Sequence, residues 1–286
     1  MRGSCAPGRS RSSTRRSDAA AAALLGPQVR AITYGFVNNQ NAFPNAGAFI
    51  VQSPTTGNIF PICSGALIAP TVFLTASHCT TFFTNDREPR GFTAFVSFSS
   101  PIGFGSLTDL TKTKLIPVEQ VVTNPGFNQS QSDSGDIAVL LLPGGRTRHI
   151  SIAALPTEGL LDQLAEANGL KGAVFTAVGY GLQNRVVGGG VPYFQDVNPI
   201  PRMFAFSSFS ALNGAYLRLS QNPATGDGGT CFGDSGGPNF LEVNGRRVLA
   251  AITITGDAVC RSTNVDYRTD TASAREFLAA YVALPW

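Results

Sequence analysis

The chain has 286 residues and a formal net charge of +3; it is 43% hydrophobic and 14% charged, with 31 glycines and 18 prolines. These proportions exclude a disordered or fibrous chain, and no run approaches the roughly 20 apolar residues that a membrane helix needs. Nor does the positive charge point to nucleic acid: six arginines against one acid, Asp18, place +5 in residues 1–30 and leave −2 for residues 31–286.

Residues 1–31 read as a signal or pro segment that is removed. A basic stretch precedes a short apolar run, Ala19 to Leu25. Val29 and Ala31 suit a signal-peptidase cut before Ile32, and a tryptic cut after Arg30 is the alternative. Arg15-Arg16 hints at twin-arginine export, although the hydrophobic residues that usually follow are absent. Beyond this segment come short apolar runs separated by Gly, Pro and Asn: Ala46–Gln52, Gly65–Ala69, Phe92–Phe98, Pro117–Thr123 and Ile137–Leu142. A polar, Gly-containing stretch at 150–172 predicts a linker with some short helical character. Val174–Val178, Tyr216–Leu219 and Arg247–Ile254 resume the pattern, which is the all-β signature. Only Thr271–Val282 has helical period and length, with Phe277, Leu278, Tyr281 and Val282 on its apolar side.

Chemistry concentrates at three places. Gly233-Asp234-Ser235-Gly236-Gly237-Pro238 puts a serine in a glycine-rich turn that exposes its hydroxyl. Two histidines are the available bases. His78 closes Thr75-Ala76-Ser77-His78-Cys79 at the end of a strand, whereas His149 follows a polar loop and reads as solvated. The acid is Asp136, at the mouth of the apolar run from Ile137, where a carboxylate needs a dedicated partner. Asp133 competes, but serines flank it and nothing nearby in the sequence buries it. The turn also satisfies G-x-S-x-G, yet the α/β-hydrolase order requires a histidine after the serine and none follows residue 149.

In the order His78, Asp136, Ser235, these motifs resemble the trypsin/chymotrypsin-like serine proteases, from about residue 32 to the end. Asn124-Pro125-Gly126-Phe127-Asn128 and Thr176-Ala177-Val178-Gly179-Tyr180-Gly181 add weaker echoes of that family. The resemblance implies two packed six-stranded antiparallel Greek-key β-barrels with a C-terminal α-helix. Residues 32–150 would form the first barrel, and 151–286 the linker, second barrel and helix. It further implies a secreted endopeptidase in which His78 is the base, Asp136 orients it and Ser235 attacks, as in the general Ser-His-Asp template. The N–H groups of Gly233 and Ser235 would form the oxyanion hole. Cys63–Cys79 and Cys231–Cys260 would be disulfides, leaving Cys5 in the removed segment, and bridges imply an oxidising compartment. The Ile32 amine, freed by cleavage, would pair with Asp234.

By the same resemblance, Gly229 floors the primary pocket where an acid would select Arg or Lys, Thr230 stands beside it, and Thr253, Thr255 and Val265 supply walls. Asp227 reads as an exposed loop acid. Two β-branched walls, Thr255 and Val265, narrow the pocket toward small aliphatic P1 side chains. Thr253 is expected to hydrogen-bond Asp136 or the substrate backbone. The resemblance calls for no cofactor or metal, no nucleic acid and no membrane span. It implies a monomer acting on protein or peptide substrates and open to protein inhibitors. A protease-like binding protein without catalysis is the competing reading, and such proteins usually lack a triad member.

Overall fold

The computed structural model describes Met1, residues 32–103, 113–182 and 198–285, and the backbone of 185–186 and 193–194. The 1–31 segment readings, including Cys5, lie outside the described residues apart from Met1 and carry no structural account.

A two-residue strand, β1 (Phe36–Val37), comes first. The next seven are β2 (Ala46–Gln52), β3 (Ile59–Ala69), β4 (Val72–Thr75), β5 (Thr93–Ser97), β6 (Ile116–Pro117), β7 (Gln120–Thr123) and β8 (Ala138–Leu141). They form one antiparallel sheet in the order β6-β5-β2-β3-β4-β8-β7. Helix α1 (Ser77–Phe82) follows β4, and α2 (Leu160–Glu166) lies in the linker. The second sheet holds β9 (Val174–Gly179), β12 (Met203–Leu212), β13 (Tyr216–Ser220), β14 (Pro238–Val243), β15 (Arg246–Gly256) and β16 (Thr263–Arg268). Between its first two strands, β10 (Arg185–Val186) and β11 (Tyr193–Phe194) make a small hairpin. Because β9 pairs with both β14 and β12, six strands close into a barrel. The first sheet curls into a half-barrel, open between β6 and β7. A C-terminal helix, α3 (Ala272–Ala279), completes the all-β architecture, with Thr271 as its N-cap accepting from the Ala274 N–H. Strand β1 pairs with β12 of the second barrel, although it precedes the first in sequence.

The continuous apolar run of β2 follows from what lies on its two faces. Phe49 and Val51 enter the large core with Leu67, Phe73, Leu74 and Leu140. Ala48 and Ile50 face the other way and pack with Ile59, Ile102 and Tyr180, joining the two halves. Polar contacts cross the same boundary. Ser64 of β3 receives the Tyr180 N–H on its hydroxyl at 3.0 Å, and its own N–H donates to the Ser235 carbonyl at 2.8 Å.

Candidate active site

His78 owes its position to tertiary contacts, since a six-residue helix has little stability of its own. The Ser77 hydroxyl donates to the Ile137 carbonyl at 2.7 Å and receives the Asn124 N–H at 3.2 Å, which ties α1 to the chain on either side of the 124–136 loop. The Thr80 and Thr123 hydroxyls share a 2.7 Å hydrogen bond, and the Cys63–Cys79 disulfide clamps the residue next to the histidine. Asp136 is buried, and its carboxylate holds His78 twice. Oδ2 lies 2.8 Å from Nδ1, and Oδ1 accepts the His78 backbone N–H at 2.9 Å. This grip fixes the ring's rotation and leaves Nε2 on the side away from the acid.

His78 and Ser235 line one cleft of about 540 Å³ at the junction of the two halves, with Gly233 beside them. Gly233 has φ +96°, which a side chain rarely tolerates, and its carbonyl accepts the Ser64 hydroxyl at 3.0 Å. That contact orients the peptide following Gly233. The N–H groups of Gly233 and Ser235 donate to no acceptor among the described residues, while the neighbouring Gly236 N–H is spent on the Thr253 carbonyl. Cys63, His78 and Cys79 bring three donor atoms within 4.8 Å, but both sulfurs are joined in the disulfide and offer no thiolate to a metal.

Asp234 is fully buried behind this turn. Its carboxylate accepts the Gly181 N–H at 2.8 Å and the Cys231 N–H at 2.9 Å, and no cation pairs with it among the described residues. Burial pushes its pKa up to about 7, against the pull of those two hydrogen bonds. Ile32 is also fully buried, with Ala177, Met203 and Ala205. The next residue, Thr33, exchanges two hydrogen bonds with Gly229: N–H to carbonyl at 2.9 Å one way and 3.0 Å the other.

Of the pocket residues expected from the sequence, Thr230, Thr253 and Thr255 line the cleft, whereas Gly229 and Val265 are not among its lining residues. Val265 pairs with Thr255 across β15 and β16. Thr253 does not reach Asp136. Its hydroxyl instead donates to Asp266 Oδ1 at 3.2 Å, inside a buried group in which Asn239 and Asn264 donate to the same oxygen at 2.8 and 2.7 Å. Burial raises the Asp266 pKa well above its ordinary value, against the pull of the Thr253, Asn264 and Asn239 hydrogen bonds. Asp227 is buried rather than exposed, and accepts from the Ser208 N–H and hydroxyl at 3.1 and 2.7 Å. Asp133, passed over as the acid, accepts from Tyr267 and Ser273 at 2.7 Å each. Burial raises its pKa, but these bonds and the Gly135 N–H outweigh that and hold it low. His149 lines a separate cavity of about 680 Å³ with Lys114 and Arg146. The second expected disulfide, Cys231–Cys260, is formed and ties the serine turn to the loop after β15.

A family model described as Trypsin matches residues 36–278, and the chain belongs to that family of serine proteases. It is 28% identical over 221 residues to chymotrypsin-like elastase family member 1 of Canis lupus familiaris, spanning 75% of this chain and 77% of the relative. The protein of the same name from Rattus norvegicus is 26% identical over 220 residues (75% and 74%). That from Bos taurus is 26% identical over 225 residues (77% and 76%). No helix among the described residues is long and apolar enough to cross a membrane.

Proposed function

We propose that the protein is a secreted serine endopeptidase in which His78, Asp136 and Ser235 form the catalytic triad. The two-point hold of Asp136 on His78, in the cleft that also contains Ser235, carries this reading. A serine hydroxyl attacks a peptide carbonyl effectively only when a base takes its proton. His78 Nε2 accepts that proton while Asp136 stabilises the imidazolium through Nδ1. The imidazolium then returns the proton to the leaving amine. Water repeats the sequence on the acyl-enzyme and releases the acid. The Gly233 and Ser235 N–H groups, without acceptors among the described residues, receive the developing oxyanion, and losing one such donor costs about a hundred- to a thousand-fold in rate. No hydrogen bond joins Ser235 to His78 among the described residues, and contacts of this kind commonly tighten with substrate in place.

The mature chain begins at Ile32 in this reading, and its amine pairs with Asp234. Three observations support the pair. Ile32 is buried; Asp234 is buried with no cation beside it among the described residues; and Ile32 carries φ 57°, an unfavourable value for a β-branched residue. Cutting before Ile32 abolishes that torsion and creates the positive charge at once. For P1, β-branched Thr255 on the cleft wall, and no acid at Gly229, favour small aliphatic side chains over Arg or Lys.

The experiment is to treat the processed protein with a serine-directed phosphonylating reagent, read the intact mass, and profile a P1 peptide library. The expected outcome is one adduct on a chain starting at Ile32, none on Ser235→Ala, and cleavage after Ala or Val. Wild-type protein that takes no label would instead support a protease-like binding protein. Labelled protein that begins well upstream of Ile32 would overturn the activation pair.

A further inference from the structure

Gly229 stands six residues before Ser235 and carries no side chain, yet the space above it is filled. A carbon placed at its Cβ position would collide with Oε1 and Cβ of Gln221, with Cδ only 3.0 Å away. Gln221, the residue that follows β13, is 1% exposed. Its carboxamide is anchored at one end. Nε2 donates to Asp257 Oδ1 at 3.1 Å and to the Thr263 carbonyl at 3.4 Å, and the backbone N–H donates to the Ser262 carbonyl at 3.0 Å. Asp257 is itself fixed, accepting the N–H groups of Ser262 and Thr263 at 2.8 Å each. Oε1 is left buried and without a partner. The same amide lies against the far strand, since a carbon on Gly256 would sit 3.8 Å from Nε2. Thr230, Gly256 and Asp257 line the cleft and Gly229 does not, so the cavity stops above the layer that Gln221 occupies.

We propose that Gln221 is a plug that sets the depth of the primary specificity pocket. It takes the volume over Gly229 into which a long P1 side chain would extend, and so acts as a specificity-determining residue for short ones. This rests on the protease reading of the cleft. Thr255 narrows the pocket from the side in that reading, while Gln221 closes it from below. An acid at position 229 is barred by the same contact: with Gln221 in place, any side chain there has nowhere to go.

The test uses the processed full chain, with active sites counted by phosphonylation and kcat/KM measured across a P1 series of Ala, Val, Met, Leu, Phe, Lys and Arg. Gln221→Ala should raise kcat/KM for Met or Leu relative to Ala by about ten-fold or more, the order expected when a pocket gains room for further methylenes. Gln221→Met keeps the bulk and loses the amide, and should leave the profile unmoved. Gly229→Asp alone should lose most titratable sites, whereas Gly229→Asp with Gln221→Gly, which removes the Cβ that alanine would keep in contact, should regain them and cleave after Lys or Arg. Should Gln221→Ala fail to fold, Gln221→Asn, one methylene shorter, carries the same expectation on a smaller scale. Gln221→Ala or Gln221→Asn protein that titrates normally with an unshifted P1 profile would overturn the plug alone. A wild type that neither titrates nor cleaves would overturn the protease reading and the pocket with it.

Discussion

If the chain is cut before Ile32 as proposed, Asp234 ties stability to that processing. In the uncut chain, burial raises its pKa from an ordinary 3.8 to about 7, so the folded protein retains a proton there that the unfolded chain gives up. The contribution is therefore present below pH about 4 and is lost as pH rises through about 7, on the order of 4 kcal/mol over that window. We expect the urea midpoint of uncut Ser235→Ala protein to fall between pH 4 and 8, and Asp234→Asn to remove the part of that fall that Asp234 contributes. Chain cut before Ile32 should lose this trend, because a nearby ammonium favours the carboxylate. Asp234, like the rest of its hexapeptide, was legible in the sequence because the motif is contiguous. His78 and Asp136 were legible for the same reason, each sitting beside an apolar run of recognisable register. Gln221 and Asp266 were not. A glutamine after a strand and an aspartate within one read as surface positions. Only the register that sets Thr253 opposite Asp266, and the fold that lays Gln221 over Gly229, reveals them as interior.

Among elements, the strands with uniform apolar runs were found close to their observed limits, as with β2 at Ala46–Gln52. Strand β12 escaped because its alternation is inverted in polarity. Ser207 points inward and donates to the Gly228 carbonyl at 2.6 Å, while Phe204 and Phe206 face outward to meet Phe36. Helix α3 ends at Ala279, three residues short of the expected limit, where Tyr281 turns its N–H back to the Leu278 carbonyl. Its approach is held by Arg268 of β16, a buried arginine that bonds both oxygens of Asp270 at 2.9 Å and both of Asp162 in α2 at 3.0 and 2.7 Å. Asp270 in turn receives the Leu161 N–H at 2.8 Å. Removing the arginine strands a buried carboxylate, so Arg268→Met should cost about 3–5 kcal/mol in a denaturation experiment. Adding Asp270→Asn, which neutralises the stranded charge and keeps an acceptor for Leu161, should recover part of the loss.

At the scale of the molecule, the proposed triad is divided between the open half-barrel and the closed barrel and depends on how they meet. Arg202 is buried at that meeting without a carboxylate partner among the described residues, donating to the Ala46 carbonyl at 2.9 Å, the Phe98 carbonyl at 3.2 Å and the Tyr180 hydroxyl at 3.2 Å. A guanidinium held by carbonyls from the facing half, with its Nε unpartnered among the described residues, sets the alignment of the halves more than it strengthens either one. The pairing of Thr33 with Gly229 has a different consequence, because it joins the segment that begins at Ile32 to the loop next to the cleft. Free-energy coupling is reciprocal: whatever a compound in the cleft does to the docking of Thr33, docking of Thr33 does to the compound's affinity by the same factor. Deuterium uptake at Thr33 should therefore slow when a reversible cleft inhibitor saturates the protein, and chains trimmed past Thr33 should bind that inhibitor correspondingly less well. An unchanged uptake rate at saturation would show the two to be independent. If they are coupled, the pairing works as a quality check on maturation, since a molecule trimmed at the wrong residue is also one that holds its ligands poorly.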